Sequence, residues 1–230
     1  LGNCTFFPVD LPNYYRTAAV HRPWNVFIAQ VSPMTEDGYF YIGMNQTFET
    51  ELVRDALEGR KTILLEVNPR LTWMRGAVRI PVSAVTKLFE VDMPEDTTPE
   101  IVCTDDEIAI GHMAADIIAD GDTIQMGIGG ITNAIGNFLL QKNDLGLHTE
   151  QFTSSMATLI QAGVITGKHK AYDKGLHVGV FADGTHELYE FLHNDPNCLL
   201  RPGCEVVNPF EIARQDHMVA INTCIEIDLT

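Results

Sequence analysis

The chain has 230 residues, a formal net charge of −16 and 45% hydrophobic residues. That length allows one large domain or two small ones with a sizeable core, and the acidic balance argues against nucleic acid, whose phosphates must be neutralised by Lys and Arg. No apolar run reaches the roughly 20 residues of a membrane-spanning helix, and the opening LGNCTFFPVDL lacks the basic flank and long apolar run of a signal peptide.

Strand-like and helix-like runs alternate along the chain. Residues 25–32 (NVFIAQVS) and 38–43 (GYFYIG) read as extended. Residues 46–59 place Phe48, Leu52, Val53, Ala56 and Leu57 on one helical stripe, which Gly59 can end. Residues 61–68 read as a buried strand and 84–91 as another. The stretch MPEDTTPE (93–100), with two prolines, is the best linker candidate. Thr104 and Glu107 have capping-box spacing and open a helix over 105–120, closed by Gly121.

A strand over 122–128 then leads to a helix over 132–142, and a further helix covers 154–163. A strand over 176–182 precedes a helix over 186–193 capped by Thr185. A strand over 205–208 (EVVN) meets Asn208-Pro209, a cap followed by Pro at the first helical position. The run INTCIEIDLT (221–230) alternates apolar and polar residues with period two, so it reads as a strand with Glu226 on its polar face. Repeated βα units imply a mainly parallel sheet covered by helices. The missing initiator Met and the stop inside a strand make both ends read as truncated.

Five cysteines (Cys4, Cys103, Cys198, Cys204 and Cys224) with no CxxC argue for a reducing cytosol rather than a disulfide framework or a zinc knuckle. Lys168, Lys170 and Lys174 form the one noticeable basic cluster, read as a solvated loop. The sharpest local feature is GDTIQMGIGGITNAIGNFL (121–139), a strand running into Gly127, Gly129 and Gly130 and then a helix. Glycines there admit a substrate oxygen or phosphate to backbone N–H groups at a positive helix end; the alternative is a tight turn with no ligand. Thr132 stands where a dinucleotide fingerprint needs Gly or Ala, and no GK[ST] follows. His186 and Glu187 lack a second His one turn on, which excludes the HExxH zinc site, and no GxSxG occurs. His148 and Glu150 follow a short apolar stretch that could be a strand end. Glu226 is either a solvated side chain or a catalytic acid, since a carboxylate can act as a covalent nucleophile.

These stretches (121–139, LGLHTEQF, LIQAGVITGKHK, GTHELYEFLHNDP and VVNPFEIARQDHMVAINTCIEIDLT) together resemble the acetyl-CoA hydrolase/transferase family, most of all its 4-hydroxybutyrate or butyrate CoA-transferase type. QVSPMTEDGYFYIG (30–43) resembles the family's first domain. The resemblance implies an α/β protein of two open α/β domains of the NagB/RpiA-like CoA-transferase type, with mostly parallel sheets. Residues 1–95 would be part of the N-terminal domain, 96–104 the linker and 105–230 the first part of the C-terminal domain. It makes Glu226 of the E-x-D-L stretch the nucleophile of a ping-pong transfer between an acyl-CoA and a short carboxylate, with acyl-CoA hydrolysis on the same scaffold as the alternative. Gln125, Gly127, Gly129, Gly130, His148, Glu150 and Asn222 match family positions expected to line the acyl or pantetheine pocket. Coenzyme A would be a substrate, with no permanently bound cofactor and no metal. A cytoplasmic homo-oligomer, dimer or tetramer, is expected. The family usually has Pro where Thr132 stands, Met where Gln151 stands and Asp-Gly near Ser154-Ser155, departures that bear on the acyl group.

Overall fold

The computed structural model describes residues 2, 6–10, 13–19, 23–224 and 226–228. In the first part, β1 (Val26–Val31), β2 (Tyr39–Tyr41), α1 (Glu49–Glu58), β3 (Thr62–Val67), β4 (Arg79–Pro81) and β5 (Lys87–Glu90) follow in order. β1, β3 and β5 make a parallel sheet in that order, with Ala29 opposite Leu65 and Leu65 opposite Leu88. β2 and β4 form a separate antiparallel pair. The apolar stripe of α1 supplies Val53 and Ala56 to a core with Phe27, Val31, Ile63 and Leu65. That stripe is why the segment folds as a helix against this sheet.

The second part holds α2 (Asp105–Ile117), β6 (Thr123–Met126), α3 (Gly130–Phe138), β7 (Gly146–Leu147), β8 (Gln151–Phe152) and α4 (Ser154–Gln161). There follow β9 (His177–Gly179), β10 (Phe181–Ala182), α5 (His186–Asn194), β11 (Cys198–Leu200), α6 (Gly203–Val206), α7 (Pro209–Ile212) and β12 (Met218–Ile221). All pairings here are parallel: β12 with β6, β6 with β7, β8 with β10, and β9 with β11. A bridge from His148 to Val178 joins the runs 146–152 and 177–182 into one layer. The single strand expected over 176–182 is broken at Val180, because the N–H groups of Val180 and Phe181 both donate to the Glu150 carbonyl, at 2.8 and 3.1 Å. One acceptor serving two donors is a local bulge, and it bends the strand.

Helix ends follow the local chemistry. Thr104 Oγ1 accepts from the Glu107 N–H at 3.3 Å while the Glu107 carboxylate accepts from the Thr104 N–H at 2.7 Å, a complete capping box. Those bonds to Thr104 hold the Glu107 carboxyl below its ordinary range. Thr185 caps α5 by accepting from the Leu188 N–H, and Asn208 caps α7 with Pro209 in its first turn. The second core gathers Ile124, Met126, Ile135, Leu139, Phe152 and Leu159, and it also takes Met44 and Met74 from the first part. Trp73 meets His193 edge-on at 5.3 Å, and the Gln46 N–H donates to the Val180 carbonyl at 2.9 Å. The two parts therefore share a packed contact.

Four expectations need correction. Residues 205–208 are not a strand: Glu205 and Val206 lie in α6, whose N–H groups fold back on the Pro202 carbonyl, and the strand lies earlier, at Cys198–Leu200. Gly203 permits that turn, since a Cβ there would stand 2.7 Å from the Thr47 carbonyl oxygen. The helix expected from 132 begins at Gly130. The final strand ends at Ile221, where its ladder with β6, the partner among the described residues, ends at the opposite residue, Met126. One further bond, from the Gly127 N–H to the Ile221 carbonyl, follows that pair, and Asn222–Cys224 and Glu226–Asp228 carry no strand; Ile225, Leu229 and Thr230 lie outside the described residues.

The basic cluster is the fourth case. Lys170 is fully buried, with Nζ donating to the carbonyls of Leu147 and Leu176 at 2.9 Å each. Burial pushes its pKa down to about 8. Lys168 instead pairs with Asp144 on the surface, and Lys174 is exposed.

Candidate active site

Three strand-to-helix turns meet on one side of the second part: 127–129 after β6, 153 after β8, and 183–185 after β10. In an open α/β sheet this is where ligands bind, outside the carboxyl ends of the strands. A cavity of about 230 Å³ opens there. Gly127, Ile128 and Gly129 form one wall, Thr153–Ser155 another, and Asp183 and Gly184 a third.

The glycines in this turn answer different demands. Gly129 has φ 112°, a backbone open to glycine and costly for any other residue. Gly127 is a close approach: a Cβ there would stand 2.8 Å from Asn222 Oδ1. Gly130 opens α3 directly beneath the Glu107 carboxylate, where a Cβ has no room. The first N–H groups of α3 have no intrahelical acceptor and carry the positive end of its dipole. Thr132, at the family's usual proline position, turns its Oγ1 back to donate to the Gly129 carbonyl at 2.9 Å.

Beside this turn, Gln125 and Asn222 form a reciprocal amide pair. Gln125 Nε2 donates to Asn222 Oδ1 at 3.0 Å, and Asn222 Nδ2 donates to Gln125 Oε1 at 2.9 Å. The Gly127 N–H donates to the Ile221 carbonyl at 2.8 Å. β12 is thus fixed to β6 just where the chain departs toward Glu226. Glu226 is exposed and outside any strand, and Ile227, expected to face a core, is 83% exposed. The structure therefore brings Gln125, Gly127, Gly129, Gly130 and Asn222 together, with Glu226 four residues beyond the pair.

His148 and Glu150 sit elsewhere. Neither lines this cavity. His148 is buried, and its Nε2 donates to the Val206 carbonyl at 2.8 Å. Burial holds its pKa below the ordinary imidazole value, which leaves Nδ1 a neutral acceptor. It lines a second cavity with Tyr172, Arg201 and Cys204. Glu150 offers its main-chain carbonyl to the bulge, and its residue is half-buried.

The residues that sequence reasoning missed are Thr98, Ile101, Asn133, Thr153 and Asp183. Asp183 and Thr153 could have been found, since each follows a strand and precedes a helix, as Gly127 does. Thr98 and Ile101 could not, because they lie in the proposed linker. That segment is pinned: the Thr98 N–H donates to the Gly184 carbonyl at 2.8 Å, and Thr98 Oγ1 donates to Asp183 Oδ1 at 2.6 Å. The Glu95 carboxylate accepts from the Thr72 N–H at 2.9 Å. The stretch without regular structure is a strap that lines the cavity through residues 98–101. Among the described residues no cluster of His, Cys, Asp and Glu could hold a metal ion, and no helix is long and apolar enough to cross a membrane.

Residues 184–230 match the model of the acetyl-CoA hydrolase/transferase C-terminal domain. A succinyl-CoA:cyclohexane-1-carboxylate CoA transferase from Geobacter metallireducens is 34% identical over 95% of this chain and 50% of its own length. A 4-hydroxybutyrate coenzyme A transferase from Clostridium kluyveri is 34% identical over 98% of this chain and 51% of its own. The crystal structure of a 4-hydroxybutyrate CoA-transferase from Porphyromonas gingivalis superposes with a TM-score of 0.83 at 34% identity, covering 94% of this chain and 54% of that one. The chain spans about half the length of the curated relatives it matches.

Proposed function

We propose that this chain, which resembles the acetyl-CoA hydrolase/transferase family, is the part of an acyl-CoA:carboxylate CoA-transferase that carries the nucleophile, Glu226. The observation that carries this reading is the cavity at the strand ends, bordered by Gly127–Gly129, beside the Gln125–Asn222 pair from which the chain runs on to Glu226. The relatives' printed names differ in acyl group (succinyl, cyclohexane-1-carboxyl, 4-hydroxybutyryl) and agree on transfer of coenzyme A.

In this reading a carboxylate oxygen of Glu226 attacks the thioester carbonyl. The C–S bond breaks, CoA leaves as thiolate, and an acyl-glutamyl anhydride remains. The thiolate then attacks the glutamyl carbonyl, expels the first carboxylate and leaves a glutamyl-CoA thioester. A second carboxylate, with acetate the expected one, attacks that thioester and the two steps run backwards. Each attack builds an oxyanion, which the first N–H groups of α3, having no intrahelical acceptor, are suited to receive. The acyl bond stays activated as thioester or anhydride throughout, so neither ATP nor metal is needed. Water must be excluded, since it would turn transfer into hydrolysis.

The same reading assigns residues 1–95 to the N-terminal domain, 96–104 to the connection and 105–230 to the C-terminal domain. It places the enzyme in the cytoplasm as a homo-oligomer. The test is to give butyryl-CoA to the full-length protein with and without acetate and to follow acetyl-CoA and free CoA. Acetyl-CoA should appear mole for mole with butyryl-CoA lost, and only with acetate present. Release of free CoA at an equal rate without acetate would contradict transfer and favour hydrolysis.

A further inference from the structure

Resting on that transferase reading, we propose that Asp183 and Glu100 make this pocket selective for acyl groups without a second charge. Short aliphatic or hydroxylated chains are accepted, and dicarboxylic chains such as succinyl are rejected.

The chemistry of the wall carries the inference. Among the described residues, Asp183 and Glu100 are the charged residues lining the cavity, and no Lys, Arg or His lines it. Pro99, Ile101 and Ile128 offer apolar contact, and Thr153–Ser155 offer hydroxyls. A second carboxylate on the acyl chain is ordinarily held by an Arg fork or a Lys. Here it would meet two carboxylates instead, and like-charge juxtaposition is how a site rejects a competitor. Asp183 is also held in place. Its Oδ1 accepts from Thr98 Oγ1 at 2.6 Å, and the strap bearing Thr98 and Glu100 is tied to the Gly184 carbonyl at 2.8 Å. The carboxylate cannot simply swing away from an incoming anion without releasing that bond. A terminal hydroxyl, by contrast, can donate to Asp183 or exchange bonds with the Thr153–Ser155 hydroxyls.

The test uses the full-length protein and a double variant, Glu100→Gln with Asp183→Asn. The Asn retains an oxygen that accepts from Thr98. Binding of butyryl-CoA and succinyl-CoA is titrated at equilibrium, and kcat/KM is measured for each with acetate as acceptor. The expected wild-type preference for butyryl-CoA is about tenfold or more, equivalent to about 1.4 kcal/mol, and the double variant should narrow it severalfold by improving succinyl-CoA. Equal use of both substrates overturns the inference and leaves the transferase reading standing. A double variant with the same ratio also overturns it, as does one that shifts both substrates equally, which would mean that the cavity holds the coenzyme. Selective binding without turnover would sink the transferase reading while the pocket's selectivity stands. Binding of neither acyl-CoA would sink both.

Discussion

Replacing Lys170 with Met should change how stability depends on pH more than it changes stability itself. Lys170 is fully buried, and its ammonium is satisfied by two carbonyls, those of Leu147 and Leu176. Burial lowers its pKa from the ordinary 10.5 to about 8. Between those two values the unfolded chain holds a proton that the folded chain has released, so stability rises with pH through that window. The full difference corresponds to about 3 kcal/mol of stability, absent at neutral pH and gained by about pH 10.5. Lys170→Met removes the titration and the charge-burial cost together, but it leaves two carbonyls without their donor, each costing about 1–3 kcal/mol. Near pH 7 the two effects oppose each other and the net change is modest. Between pH 8 and 10.5 the charge-burial cost fades while the loss persists, so the wild type should pull ahead by about 3 kcal/mol across that window. Urea unfolding of both proteins from pH 7 to 10 measures this as a difference of midpoints at constant m-value. Buried thiols such as Cys198, whose pKa burial raises, act alike in both proteins and drop out of the difference. Parallel curves would refute the reasoning and mean that Lys170 is not charged and buried as described.

His177 works on the acid side. Burial lowers its pKa from 6.5 to about 4, so protons favour the unfolded chain below pH 6.5, and about 3 kcal/mol is lost as pH falls to 4. A His177→Leu variant should show a visibly flatter acid limb in urea titrations between pH 7 and 4. Phe152 is fully buried in the second core, against Gly179. Phe152→Ala should cost about 3–5 kcal/mol in equilibrium unfolding, and a loss under 1 kcal/mol would contradict the packing.

Local signals were the legible part of this fold. Thr104–Glu107, Thr185 and Asn208-Pro209 each carry their bonding partner within a few residues, so the capped helix starts could be read directly. The parallel arrangement followed from the βα rhythm, and the glycines at 127–130 announced the turn beside the cavity. What failed depended on contacts remote in sequence. EVVN looks extended by composition, yet Gly203 against Thr47 makes the chain turn there. The period-two pattern of 221–230 is real, but a strand needs a neighbour, and β6 ends at Met126. Lys170 reads as a surface charge until Leu147 and Leu176 are seen around it. The strap at 98–101 reads as a linker because its partners, Asp183 and Gly184, lie far along the chain. Glu226 illustrates both sides: its residue type and motif point to chemistry, whereas its expected strand face does not exist among the described residues.

The central claim is that Glu226 forms the covalent intermediate. The most direct measurement is a peptide mass spectrum of the full-length protein after brief incubation with butyryl-CoA, with Glu226→Gln as the control. The account predicts a CoA thioester on the peptide bearing Glu226, discharged by acetate and absent from the variant. Turnover of butyryl-CoA with no adduct on Glu226, or with undiminished turnover in Glu226→Gln, would contradict it.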